Sequence, residues 1–143
     1  MKKIAIASDH AGFELKEDIK SLLKNYEILD LGTNSTESVD YPDFGKAAGE
    51  AISSGKADLG IVICGSGIGI SIAANRNPKV RCALCTTVEM AKLSRQHNDA
   101  NILALGARIT DKSTAVEIVK AFLSTKFEGG RHEKRVEKLT NCG

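Results

Sequence analysis

The sequence contains no tryptophan, and aromatic residues make up only 4% of its 143 positions. It therefore lacks the stacking surfaces on which single-stranded nucleic acids are usually held. Basic and acidic residues nearly balance, at 20 against 18, so no excess of charge favours a nucleic acid or a membrane surface as a partner. We expect neither kind of partner.

Long apolar runs are also missing. The first apolar stretch, residues 4–7, is followed by the polar residues 8–10 and is too short for a signal peptide or a membrane span. We therefore expect a cytoplasmic location, where the four cysteines would be free thiols. Cys82 and Cys85 form a lone C-x-x-C pair with no second pair or nearby histidines, so we expect core cysteines there and no metal.

Short apolar segments alternate with amphipathic ones along the chain. Strands are predicted at residues 3–7, 27–31, 59–64, 81–85 and 101–105. Helices are predicted at 11–24, 44–52, 88–96, 111–123 and 131–139, with a further helix opening after the glycines that follow residue 64. This alternation predicts a single α/β domain over 1–143, a Rossmann-like, doubly wound sheet of five parallel strands between two helix layers.

The last helix, at about 131–140, carries many charges and only Val136 and Leu139 as an apolar stripe. Such a helix buries little against its own core. We expect it to pack on a partner subunit.

Ligands of open parallel sheets bind beyond the carboxyl ends of the strands, so residues at those ends are the candidates for chemistry. Cys64 ends the all-apolar third strand and precedes glycines at 65, 67 and 69. A thiol at the start of a helix is favoured as thiolate by the helix dipole and the free N–H groups. The alternative is an unreactive buried cysteine at a strand end.

The glycine loop indicates a site for a phosphate or an oxyanion, because closely spaced glycines let backbone N–H groups approach a ligand. Its third glycine comes one residue too early for a dinucleotide fingerprint, and no G-K-[ST] follows as in a Walker A loop. A cysteine phosphatase would need an arginine shortly after the nucleophile, and the first arginine here is Arg76.

Two histidines and an aspartate are further candidates. Asp9 and His10 end the first strand, where they either exchange protons with a sugar hydroxyl or cap the next helix. His97, beside Asn98, ends a helix and serves either catalysis or the helix dipole. In a simple topology His97 lies at the opposite edge from Cys64 and would reach a partner's site more easily than its own. His132 lies among charges and is expected to be solvated.

Three arginines could hold a phosphate. Arg131 and Arg135 are four residues apart on one helical face, and Arg108 follows the fifth strand. The alternative is a solvated charged face.

Several segments in one order resemble the type B ribose-5-phosphate isomerases and the related galactose-6-phosphate isomerases. The resemblance covers nearly the whole chain and rests on five segments: Ser8-Asp9-His10-Ala11-Gly12, Asp40-Tyr41-Pro42-Asp43, residues 63–71, residues 94–99, and Glu128-Gly129-Gly130-Arg131-His132. Some family members use as the base a glutamate that lies a few residues after the position of Cys64. That stretch has no glutamate here, so the chain resembles the cysteine branch.

The resemblance implies a metal-free and cofactor-free interconversion of ribose 5-phosphate and ribulose 5-phosphate through a cis-enediolate. It also implies a homodimer or homotetramer whose active sites are shared between subunits. The catalytic residues would be Cys64 as the base, His97 with Asp9 for ring opening, and Ser66 with the loop N–H groups for the enediolate. The implied substrate contacts are His10, Tyr41, Gly65, Gly67, Ile68, Gly69 and Asn98, and the implied phosphate contacts are His10, Arg108, Arg131 and Arg135.

Two other functions stay open from the sequence. One is isomerisation of a six-carbon substrate such as allose 6-phosphate or galactose 6-phosphate. The other is a non-catalytic phosphate sensor on the same fold, which would use the glycine loop and the arginines without a reactive thiol.

Overall fold

The computed structural model describes residues 2–142. The strands are β1 (Lys3–Ser8), β2 (Glu27–Asp30), β3 (Leu59–Cys64), β4 (Cys82–Leu84) and β5 (Ile102–Gly106). The helices are α1 (Phe13–Leu22), α2 (Tyr41–Ser53), α3 (Ile68–Asn75), α4 (Val88–Gln96), α5 (Lys112–Ser124) and α6 (Arg131–Thr140). Each predicted strand and helix is present, with shifts of a few residues at their ends.

All strand pairs are parallel, in the order β2-β1-β3-β5-β4. Right-handed crossovers place α1, α4 and α5 on one face of this sheet and α2 and α3 on the other. The two core clusters divide in the same way: Ile63 packs with residues of α1 and α5, whereas Val62 and Cys64 pack with residues of α2 and α3. The predicted doubly wound α/β fold is confirmed.

The start of α2 is the largest local difference from the sequence prediction. Its pattern of apolar residues begins at Phe44, but the helix begins three residues earlier, at Tyr41. Pro42 lies in the first turn, where its missing N–H has no intrahelical partner to lose and its fixed φ suits a helix. The early start brings the ring of Tyr41 to the edge of the sheet that carries Cys64.

The C-x-x-C pair belongs to the packing of the sheet, as predicted. Burial raises the pKa of both thiols, that of Cys85 to about 11, so both stay protonated and unreactive near neutral pH. No helix within residues 2–142 combines the length and the apolar character needed to cross a membrane.

A fully buried lysine links α1 to the end of β2. The side chain of Lys16 is 0% exposed, and its Nζ lies 2.8 Å from the Asp30 carboxylate and 2.9 Å from that of Glu17. Lys20, partly exposed on the next turn, also contacts Asp30. Burial raises the pKa of Asp30, but hydrogen bonds from the two lysines outweigh it and hold the pKa below its usual value.

Replacing Asp30 with asparagine should therefore lower the free energy of unfolding by about 3 kcal/mol, because Lys16 would stay buried without its main counter-charge. The same change should flatten the acid limb of the stability curve. Because folding lowers the pKa of Asp30, its carboxylate stabilises the fold at pH values above its unfolded-state pKa, which is near 4. This stabilisation is lost as the pH falls through the pKa that Asp30 has in the folded state. Urea unfolding between pH 3 and pH 7 measures both effects.

Lys20→Met is the matched control, since Lys20 is partly exposed and its pair with Asp30 is worth about 1 kcal/mol or less. Equal losses from Asp30→Asn and Lys20→Met would show that burial of Lys16 does not set the strength of this network.

Candidate active site

The crevice between β1 and β3 is the place where this sheet can bind a ligand. The chain leaves β1 toward β2 on one side and leaves β3 toward β4 on the other, so the connections diverge between these two adjacent strands. Ser8 pairs with Ile63 at their carboxyl ends. The segments after these strands, residues 9–12 and 65–69, therefore meet at the topological switch point, where such sheets bind ligands.

Cys64 points into this edge from the end of β3 and is only 4% exposed. Its Sγ accepts a hydrogen bond from the N–H of Gly67 at 3.2 Å. Gly67 is the residue that caps the start of α3, so the sulfur lies at the positive end of a helix.

Gly67 adopts a φ of +78°, which residues with a side chain rarely adopt. A Cβ on Gly67 would also come within 2.5 Å of Leu84 Cδ1 and 2.8 Å of the Leu105 carbonyl carbon. Only glycine at this position lets the loop turn back so that its N–H faces the sulfur. The Ser66 hydroxyl accepts from the Ile68 N–H at 3.1 Å, which leaves its own O–H to donate to a ligand.

Two larger side chains frame the glycine loop. The Tyr41 ring packs directly against Gly69, with no room for a Cβ between them. The guanidinium of Arg108 lies over Gly65, where a Cβ would be 3.3 Å from Nη1. Both predicted ligand contacts therefore lie at the same edge as Cys64 and within the same chain.

Asp9 and His10 lie beside the loop, with defined partners. Asp9 Oδ1 accepts from the N–H groups of Ala11 and Gly12 at 3.0 and 3.1 Å and so holds the turn that precedes α1. It does not cap the helix, since the N-cap of α1 is Gly12 and no side chain caps it. Its Oδ2 forms no hydrogen bond within residues 2–142, and a proton-transfer role for Asp9 would rest on that oxygen. His10 Nδ1 accepts from the Val39 N–H at 3.1 Å, so the ring proton of a neutral His10 is on Nε2 and available to a ligand.

The remaining predicted residues lie at the other edge of the sheet. α4 ends at Gln96, and β5 then starts at the amino edge and runs five residues to the level of Cys64. At the usual rise per residue, His97 and Asn98 lie about 15 Å from Cys64 along the strand direction. Arg131 and Arg135 lie on α6, which begins close to His97. One chain does not bring these residues to its own Cys64.

His97 has neighbours that the sequence did not predict. Its ring stacks on that of His132, with centroids 4.3 Å apart and planes 13° from parallel. Glu128 Oε1 lies 3.4 Å from His132 Nε2 and 3.9 Å from His97 Nε2. The Glu128 N–H donates to the Gln96 carbonyl at 3.1 Å, which ties this segment to the end of α4.

The expectation that His132 is solvated is wrong, since it is 7% exposed. The contact of Glu128 and His132 with His97 was not predicted, because Glu128 precedes α6 and meets the two histidines only through the path of the chain after α5.

Comparison with known proteins gives one consistent result. Residues 4–139 match the family model described as Ribose/Galactose Isomerase. Ribose-5-phosphate isomerase B of Escherichia coli is 47% identical over 142 residues, covering 98% of this chain and 95% of that protein.

Solved structures agree with this match. Ribose-5-phosphate isomerase B of Clostridium thermocellum superposes with a TM-score of 0.97 at 54% identity, covering 98% of this chain and 96% of that one. The Mycoplasma genitalium enzyme, solved with bound ribulose-5-phosphate, superposes with a TM-score of 0.93 at 41% identity and covers 98% and 95%. This chain therefore belongs to the ribose/galactose isomerase family.

Proposed function

We propose that this protein interconverts ribose 5-phosphate and ribulose 5-phosphate, with Cys64 as the base. The observation that carries the proposal is the placement of Cys64 Sγ at the switch point of the sheet, 3.2 Å from the Gly67 N–H at the start of α3. Relatives that bear this activity in their names support the same substrate.

The thiolate removes the proton from C2 of the open-chain aldose, and the C–H electron pair forms the C1–C2 double bond while charge passes to O1. A proton then passes from O2 to O1, which makes O1 a hydroxyl and moves the negative charge to O2. The electron pair on O2 forms the C2 ketone while the C1–C2 double bond takes the proton of the Cys64 thiol at C1, which restores the thiolate. Gly67 and the other N–H groups of the loop, with the Ser66 hydroxyl, stabilise the intermediate enediolate. Loss of one such donor typically costs about 3–4 kcal/mol of barrier.

The substrate phosphate is held by positively charged side chains and N–H donors that come from two chains. His10 and Arg108 lie at the same edge as Cys64, whereas Arg131 and Arg135 lie near the opposite edge. We assign the second pair to the site of a partner subunit, together with His97 for ring opening and Asn98 for a sugar hydroxyl. This requires at least a homodimer, in which the charged and largely exposed α6 packs near the neighbouring chain. Tyr41 contacts the sugar from the same chain as Cys64.

Incubating the purified protein with ribose 5-phosphate in heavy water, followed by NMR, tests the reaction. Ribulose 5-phosphate should appear with deuterium at C1, and recovered ribose 5-phosphate should carry deuterium at C2. A protein that binds the sugar phosphate and exchanges neither position would be a phosphate sensor and not an isomerase.

The family description also includes galactose, so a six-carbon sugar phosphate is the second candidate substrate. Running the same assay with allose 6-phosphate and with galactose 6-phosphate compares the candidates directly. We propose that ribose 5-phosphate has the highest kcat/KM, and that the protein acts in the cytoplasm.

Arg135→Ala should raise KM for ribose 5-phosphate about tenfold or more and change kcat much less, because a charge-assisted hydrogen bond to phosphate acts in both the ground state and the transition state. Lys134→Ala is the control, since Lys134 is an exposed cation on the adjacent helix position. An unchanged KM in Arg135→Ala would place Arg135 on a solvated face.

A further inference from the structure

The cluster of His97, Glu128 and His132 has the composition of a metal site. Within residues 2–142 it is the one group of three such side chains whose ligand atoms all lie within 4.8 Å of one another. Two imidazole nitrogens and one carboxylate oxygen form a common zinc-binding set, with a fourth position left open to water.

The distances are close to those that a tetrahedral ion requires. In a tetrahedral site with metal–ligand bonds of about 2.0–2.1 Å, two ligand atoms lie roughly 3.3 Å from each other. The His132 Nε2 to Glu128 Oε1 distance of 3.4 Å already meets this value, and the His97 distance of 3.9 Å exceeds it by about half an ångström.

His97 is the side chain that would move. Its side chain is 39% exposed, while that of His132 is 9% exposed and is enclosed by its surroundings. The nitrogen lone pairs of stacked rings lie in two separate, nearly parallel planes, so one ring must turn before both lone pairs reach the same ion. His97 can turn because it caps the end of α4 and faces solvent on one side.

A second carboxylate lies near the cluster. Glu133 Oε1 lies close to Gly129, where a Cβ would be 3.1 Å from it. Exposed cations on α6, Arg131, Lys134 and Arg135, oppose these two carboxylates, so the ligand set carries the proposal and the surrounding charge does not.

We propose that His97, Glu128 and His132 bind a divalent ion of the zinc type, and that this ion inhibits the isomerase by occupying the nitrogen of His97 needed for ring opening. The metal site stands on the geometry of one chain. The inhibition rests on the proposed function.

Cobalt is the probe for the site, because Co²⁺ substitutes for Zn²⁺ and its visible absorption reports coordination. The full-length protein, carrying Cys142→Ser to remove its exposed thiol, is titrated with Co²⁺ in the absence of substrate. We expect saturable visible bands without the near-ultraviolet band of a cobalt–thiolate bond, and we expect added Zn²⁺ to abolish them. Glu128→Gln should weaken binding at least tenfold, whereas Glu133→Gln should have a smaller effect.

Absence of saturable binding, a thiolate band, or identical binding by Glu128→Gln would each overturn the metal site. In that case Glu128 is only a charged neighbour of the two histidines. Circular dichroism of each variant separates a lost site from a lost fold.

A second measurement tests inhibition separately. Zn²⁺ should lower turnover of ribose 5-phosphate, and Glu128→Gln should need at least tenfold more Zn²⁺ for the same fractional loss from its own zinc-free rate. Binding of the ion without a change in turnover would overturn the inhibition. A protein that binds the ion but never turns over ribose 5-phosphate would disprove the proposed function and leave the metal site standing.

Discussion

Cys64→Ala should lower kcat for ribose 5-phosphate by about 10²- to 10⁴-fold, the usual contribution of a positioned general base. Among residues 2–142, Cys64 is the only thiol at the end of β3, and Asp9 already uses Oδ1 to hold the turn before α1. The KM should change little, because phosphate binding depends on His10 and the arginines. Kinetics with NMR detection of deuterium at C2 measure both quantities.

Cys142→Ser is the matched control, since Cys142 is an exposed thiol far along the chain. Its activity should equal that of the unmodified protein. Cys64→Ala should still fold, because it removes one buried atom and one hydrogen bond from the loop, a cost of about 1–3 kcal/mol that urea unfolding measures. A Cys64→Ala protein that still exchanges deuterium into C2 at the normal rate would exclude Cys64 as the base.

A mixture of two inactive variants should regain activity if the active site is shared between chains. Cys64→Ala removes the base and His97→Asn removes the group proposed for ring opening, so each variant alone should be nearly inactive. In a mixed dimer, one site would contain both substitutions and the other would contain neither. Random reassortment of equal amounts makes half of the dimers mixed, so the mixture should recover about a quarter of the unmodified activity.

The control is a mixture of Cys64→Ala with a chain carrying both substitutions, which leaves no site intact and should stay inactive. The two chains must be unfolded together and refolded, or exchanged at low concentration, so that subunits reassort. Failure to regain activity after demonstrated reassortment would mean that His97 acts on its own chain or not at all. The roughly 15 Å between His97 and Cys64 along the strand direction makes the first of these incompatible with this fold.

The helices and strands were predictable because their signals are local. The all-apolar run ending at Cys64 indicates a strand covered on both faces, and the spacing of Ala115, Ile118 and Phe122 indicates one buried face of a helix. The start of α2 was not predictable in this way. The periodic pattern of apolar residues begins only at Phe44, whereas Tyr41 and Pro42 join the helix through backbone geometry.

The glycine loop was predictable for the same reason. Cys64 and the glycines after it are contiguous, so the contact between the Cys64 sulfur and the Gly67 N–H follows from one strand and one helix start. The behaviour of Asp9 was not decided by sequence, because a carboxylate at a strand end caps a helix or faces a ligand with the same residues around it. The tertiary structure shows that Oδ1 holds the turn before α1, while α1 itself has no side-chain cap.

The scarcity of aromatics and the balance of charge argued against nucleic acids and membranes as partners, and the order of motifs predicted the family to which the chain belongs. What the sequence could not supply is which groups share an edge of the sheet. His97 and His132 are 35 positions apart and stack only because the segment after α5 returns to the end of α4, held by the Glu128 N–H. Distances between elements depend on strand order and packing, and neither is written in any local pattern of residues.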